Sequence, residues 1–407
     1  MPKMVILGAG ASRACPNNHP HLPMPLLRDL PDVLSRFSPQ SSRNWFGQNL
    51  NRLLQLTNGN IEVLLTLLYR LNNCFFMPRR QNTLEAKFIE QILASSALPE
   101  IFVLPDDCGQ AVVVLELLRT LAVEDPIAVT SFSPLNFFTL FQGALREYFQ
   151  ASFQRYPCPL HLRLFEELAR FDCVVSFNYD QIADYTLHSA GKLTPFSFQG
   201  LGFDEIILPA AVAADPIFLG IADSRMRQDI HNRINCVKFL KVHGSFNWFC
   251  RMEEEKSMED DWTYLVGSPP RLRQSVQGGP EVRYCLGNPK LVPHWTNWTL
   301  APVIFPFLTK DFVYRANQMF GRHMVAFQYE LQNSEEIYLV GKSFQNSDHE
   351  LNGMIRYATY GKPARALHII DPNQSADFVP FHCALFNAHL GRRYASLEEY
   401  AQTESRG

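Results

Sequence analysis

A chain of 407 residues can bury a large core and hold two or three structural units. With 46 % hydrophobic and 19 % charged residues it has the balance of an ordinary globular protein, and a net charge of −3 gives no reason to expect a phosphate-tracking surface or nucleic acid as a direct ligand. The nine cysteines, at 15, 74, 108, 158, 173, 236, 250, 285 and 383, form no CxxC pair, which argues against a ribbon-type zinc site and a secreted disulfide framework and for a reducing, cytoplasmic setting.

At the start, Lys3 precedes the apolar run Met4–Leu7, and Ala9-Gly10-Ala11 imitates a signal-peptidase site. The run is too short for a signal-peptide core, so Lys3–Leu7 reads as a buried strand. It opens directly into Gly8-Ala9-Gly10-Ala11-Ser12. A helical insertion is expected over about 30–165, with candidate helices Ile61–Leu71, Thr83–Ala94, Ala111–Leu121 and Leu135–Phe149 separated by prolines. Strand Asp172–Phe177 then runs into Asn178-Tyr179-Asp180, and strand Val237–Val242 into His243-Gly244-Ser245. An irregular loop module with a hairpin is expected over about 250–300, and a helix over Phe312–Gln332. Strand Glu336–Val340 leads into Gly341-Lys342-Ser343, and strand Ala366–Ile370 into Asp371-Pro372-Asn373.

These five strands are nearly continuous apolar runs, the pattern of parallel strands covered on both faces. The expected fold is therefore α/β: a Rossmann-like parallel sheet with helices on both faces and a large helical insertion. Ligands of open α/β sheets bind outside the carboxyl ends of the strands, so the five clusters are expected to meet in one crevice. No membrane partner is expected, because the best apolar stretch, Leu208–Ala222, is broken by Asp215 and Pro216.

Each cluster has a plain reading beside a chemical one. Gly8 to Ser12 serves either a pyrophosphate or a bare strand–helix turn. The dinucleotide fingerprint asks for a third glycine where Arg13 stands, which weakens a dehydrogenase reading. Asp180 either caps the helix that runs through His188, stabilising it by about 1 kcal/mol, or works in a site with Asn178. His243 is a general base or a hydrogen-bonded structural histidine. A metal set of His231, Cys236, His243 and Cys250 fits no common zinc spacing, so no metal is expected. Ser347 and Glu350 form a capping box, and Gly341, Ser343 and Asp371 serve either turns or a ribose and adenine edge.

Taken in order, the five clusters resemble the sirtuin-like superfamily, most closely its bacterial branch of NAD-consuming anti-phage proteins. Asn60-Ile61-Glu62 ahead of Val63–Leu71 is similar to that branch as well. The resemblance spans residues 5–373 and implies a single sirtuin-like NAD-binding domain over 1–407. It implies phosphate binding by Gly8, Ala9, Gly10, Ala11 and Ser12, catalysis by Asn178, Asp180 and His243, and ribose and adenine binding by Gly341, Ser343 and Asp371. Protein-deacylating members carry four zinc-binding cysteines after the His-Gly motif, where this chain has Cys250 and Cys285, and a Gly-Ile-Pro-Asp-Phe-Arg loop, replaced here by Leu22–Arg28. The implied activity is hydrolysis of NAD+, as substrate, to nicotinamide and ADP-ribose in anti-phage (abortive infection) defence. The implied partners are a homo-oligomer and an ATPase or nucleic-acid-sensing protein. The alternatives are a non-catalytic NAD or ADP-ribose sensor and an NAD-dependent deacylase or ADP-ribosyltransferase. Phe246 and Trp248 are candidates for walls of the pocket.

Overall fold

The computed structural model describes residues 2–16, 18, 22, 24–37, 54, 59–65, 144–145, 147–149, 151–152, 157–208, 236–251, 282–286, 298–300, 318–344, 348–373 and 375–404. Among the described residues there are ten strands: β1 (Lys3–Leu7), β2 (Cys173–Ser176), β3 (Glu205–Ile207), β4 (Lys238–Lys241), β5 (Trp248–Arg251), β6 (Val282–Cys285), β7 (Trp298–Leu300), β8 (Glu336–Val340), β9 (Arg365–Ile370) and β10 (Ala388–Tyr394). The described helices are α1 (Ala9–Arg13), α2 (Leu30–Phe37), α3 (Pro159–Glu166), α4 (Ile182–Ser189), α5 (Gln318–Asn333), α6 (His349–Thr359), α7 (Phe378–Leu385) and α8 (Leu397–Glu404).

Six strands make one all-parallel sheet in the order β10-β9-β8-β1-β2-β4, flanked by helices. The chain lays down strands to one side of β1, then crosses back and fills the other side from β8 outward. That is the doubly wound, Rossmann-like order, and its switch point lies between β1 and β8. The central strands are apolar because both of their faces are covered: Met4 to Leu7 and Cys173 to Ser176 are all buried.

All five expected strands are present to within a residue at either end: β1 and β8 match, β2 and β4 are each shorter by one residue at both ends, and β9 begins one residue earlier. Asp172 stays outside β2 because its carboxylate is engaged, accepting the N–H of Lys3 at 2.7 Å and of Ala169 at 2.7 Å. The sixth strand, β10, was not anticipated. It is an edge strand with five consecutive exposed residues and a register shift between Leu390 and Arg393, both of which discourage further strands from pairing there.

The 250–300 stretch contributes to a small second sheet, β3-β6-β5-β7, in which β5 runs antiparallel to β6 and β7; the connection needed for the expected hairpin lies outside the described residues. The rest of the 250–300 module lies outside the described residues. So do the expected helices Thr83–Ala94 and Ala111–Leu121; residues 61–65, 144–145 and 147–149 are helical, as expected. The expected capping box is displaced. Asp348 flanks α6, and its carboxylate accepts Lys342 Nζ at 3.2 Å instead of capping the helix, while Ser347 lies outside the described residues. Among the described residues, no helix is long and apolar enough to cross a membrane.

Candidate functional site

The carboxyl ends of β1, β2, β4, β8 and β9 open into one cleft of about 690 Å³, within the range typical of small-molecule sites. Gly8, Ala9, Gly10, Ser12, Asn178, Asp180, His243, Gly341, Ser343 and Asp371 all line it. Ala11, expected among them, does not. Its side chain is buried in the core and its N–H donates to Gly8 O at 2.9 Å.

The glycines of β1 and β8 exist for each other. Gly8 N–H donates to Val340 O at 2.9 Å and Gly10 N–H to Gly341 O at 3.0 Å, so the two loops are bonded in direct backbone contact. A Cβ on Gly8 would stand 2.6 Å from Lys342 Cα, and one on Gly10 would stand 3.0 Å from Gly341 Cα. Gly341 itself has φ +55, a left-handed conformation that glycine adopts at little cost. The close approach that the motif suggested for a pyrophosphate is made here to the neighbouring loop. These two N–H groups are spent on it.

Asn178 closes the opposite wall. Its side-chain amide donates to Gly8 O at 2.8 Å and to Ser12 Oγ at 2.8 Å. With both amide hydrogens committed, Oδ1 is the atom left for a ligand. Ser12 also bears on Asp180, favouring its ionised form. Asp180 also accepts the N–H of Ile182, the first residue of α4, at 2.9 Å, but Gln181 is the N-cap residue, so Asp180 braces the start of the helix from one position outside it and is not its expected cap. Burial pushes the Asp180 carboxyl upward; Lys241, Ser12 and the Ile182 N–H pull against that rise, and Asp184 adds to it. His243 packs edge-on against Phe177 at 5.1 Å and lies 6.3 Å from the Tyr179 ring.

Several lining residues had only weak signals in the sequence. Lys342 lies within the Gly-Lys-Ser cluster, and its Nζ is 5.0 Å from the Phe177 ring and 4.8 Å from the Phe344 ring. Glu62 and Arg28 belong to segments noted for other reasons, and Asp348 lies between Ser347 and Glu350 of the expected capping box. Half-buried Tyr179 has its hydroxyl pushed well above the usual range, first by desolvation and then by the Glu62 and Asp348 carboxylates. Neither Phe246 nor Trp248 lines the cleft. Trp248 lies in the core, 5.1 Å from Phe203 and 5.0 Å from His323, while Phe246 backs the lining residues Phe149 and Tyr179 at 5.3 and 5.8 Å.

The cleft carries the carboxylates of Glu62, Asp180, Asp348 and Asp371, against the cations Arg28 and Lys342. An acceptor-rich wall of that kind suits hydroxyl groups and cationic rings, with two cations for an anionic group. Among the described residues, no group of three or more His, Cys, Asp or Glu is placed to hold a metal ion.

No family model matches the chain. Over 147 residues it is 22 % identical to the 1,3-beta-glucan synthase component FKS1 of Aspergillus niger, a stretch covering 35 % of this chain and 8 % of that protein. So partial a likeness carries neither family nor activity.

Proposed function

We propose that the protein cleaves the nicotinamide–ribose bond of NAD+ by hydrolysis, giving nicotinamide and ADP-ribose. The observation that carries this reading is the meeting of Asn178, Asp180 and His243 with the 8–12 and 341–343 loops in one cleft at the switch point of a doubly wound sheet.

The substrate sets what the site must do. Nicotinamide leaves as a neutral molecule from a cationic ring, so no general acid is required. The site has to hold the ring, stabilise a ribose that gains oxocarbenium character and deliver water. Asp180, in its ionised form, offsets that developing positive charge or orients the nicotinamide amide. Asn178 Oδ1 accepts from the attacking water or a ribose hydroxyl. His243 takes a proton from the same water or polarises a ribose hydroxyl. Arg28 and Lys342 supply positive charge for the pyrophosphate, and Asp371 and Ser343 supply polar groups for the adenosine ribose.

The resemblance to anti-phage proteins extends the proposal to a role in abortive infection, in which activity is conditional on self-assembly or on an ATPase or nucleic-acid-sensing partner. Turnover per chain is then expected to rise with protein concentration or with a co-expressed partner. A monomer working at full rate at nanomolar concentration contradicts that dependence.

The central test is incubation of purified protein with NAD and measurement of free nicotinamide and ADP-ribose, expected in equal amounts. Binding of NAD without nicotinamide release favours a sensor. Acyl-ADP-ribose formed from an added acylated peptide favours a deacylase. With Cys250 and Cys285 the only cysteines in the region where deacylases carry four, activity is expected to survive a chelator, and elemental analysis is expected to find no stoichiometric zinc. One tightly held zinc per chain would revive the deacylase reading.

A further inference from the structure

Directly behind the cleft lies a buried polar cluster. Lys241, the last residue of β4, and Asp184 on α4 are both wholly removed from solvent, and Lys241 Nζ meets Asp184 Oδ2 at 2.8 Å. Nζ also donates to the main-chain carbonyl of Asp180 at 2.5 Å. The other Asp184 oxygen accepts Tyr284 OH at 2.7 Å and Asn247 Nδ2 at 3.0 Å. The cluster thus joins the sheet, α4 and the small second sheet. Lys241 lies two residues before His243, and Asp184 one helical turn after Asp180.

Burying two charges costs several kcal/mol per ion, and a well-packed apolar pair of the same volume is often as stable or more so. Stability alone therefore does not account for the ion pair. What it does supply is a fixed length between two strand ends, since a single ammonium group holds both the Asn178–Asp180 turn and the helix that follows it. We propose that Lys241 and Asp184 are positioning residues, which set Asp180 against His243 in the cleft through the Lys241 contact with the Asp180 carbonyl. The proposal rests on the NAD-hydrolysis reading of the same site.

The lysine has a second effect on the neighbouring carboxylate. Its charge favours the ionised form of Asp180 against burial, more strongly than Asp184 opposes it. Lys241 on β4 and Asp184 on α4 are the charges that act on Asp180 directly, while Glu62, His243, Lys342 and Asp348 share its cleft. Removing Lys241 therefore raises the Asp180 pKa. If turnover requires ionised Asp180, the acid limb of the kcat profile moves to higher pH.

The experiment compares the full chain with Lys241→Met and with the double variant K241Q/D184N, which keeps hydrogen-bonding groups but removes both charges. Nicotinamide release is followed against pH, and the Asp180 carboxyl is titrated by carbon NMR on aspartate-labelled protein, its signal identified with Asp180→Asn. The expected result is a kcat lower by about tenfold or more with KM changed less than about threefold, as when a group acts only on the reacting geometry. The acid limb and the Asp180 titration both move to higher pH. If Lys241→Met does not fold, the double variant carries the test. Variants that keep wild-type kcat with an unmoved Asp180 titration overturn the proposal, and so does a loss carried by KM alone. If the wild-type chain releases no nicotinamide, the hydrolase reading fails by itself, and the Asp180 titration decides whether Lys241 governs that carboxyl.

Discussion

Replacing His243 or Asn178 by alanine is expected to lower nicotinamide release from NAD, by about 10²–10⁴-fold for His243 as a positioned acid–base group and by about 10²–10³-fold for Asn178 as a preorganised hydrogen-bonding group. The two variants differ in their effect on the fold. His243 is held by aromatic neighbours, and its truncation leaves Phe177 and Tyr179 to close around a smaller group. Asn178→Ala removes the donors to Gly8 O and Ser12 Oγ, and such buried losses cost about 1–3 kcal/mol. A domain stable by about 5–15 kcal/mol tolerates that, so both variants should melt cooperatively. Thermal melts beside the nicotinamide assay separate loss of chemistry from loss of fold. Wild-type turnover in either variant would remove that residue from the mechanism.

Gly341→Ala is expected to destabilise the protein by about 2–5 kcal/mol, combining left-handed backbone strain with overpacking. The new Cβ would stand 2.7 Å from Gly10 Cα and closer still to Ala11 N, and backbone atoms do not swing away as a flexible side chain does. Gly353→Ala is the internal control. Gly353 lies within α6 with nothing within 4 Å of an added Cβ, and alanine there is expected to stabilise by about 0.5–1 kcal/mol. Denaturant midpoints should therefore move in opposite directions. A Gly341→Ala protein as stable as wild type would mean that the two loops are not in the contact described.

The parallel core was readable from the sequence because its strands are short apolar runs that end abruptly in small or polar residues. Lys3–Leu7 and Glu336–Val340 match the structure at both ends. The cleft was readable for the same reason, since parallel strands bring their carboxyl ends together whatever the connecting segments do. β10 was not readable: an exposed edge strand containing His389, Arg392 and Arg393 offers neither an apolar run nor a clean alternation. The Lys241 cluster was not readable either. Tyr284 and Asp184 lie 100 residues apart, and neither position carries a local pattern that names its partner. Trp248 and Phe246 were drawn toward the pocket by their nearness to His243 in sequence, yet Trp248 opens β5 and is carried into the core with the second sheet, while Phe246 stands one layer back, behind Phe149 and Tyr179.

The strand order also has a consequence for biosynthesis. β1 lies in the middle of the sheet, yet one of its edges pairs with residues 173–176 and the other with residues 336–340. At a synthesis rate of about 5–20 residues per second, β1 leaves the ribosome on the order of tens of seconds before its second neighbour is made. During that interval a strand whose last four residues are all apolar has an open edge, a condition that favours chaperone binding and early association with other nascent chains. The wall formed by Gly341, Ser343 and Asp371 is also the last part of the cleft to be synthesised. A ribosome-bound chain that has not reached these residues carries Asn178, Asp180 and His243 without the surface that faces them, so the site is completed late in translation.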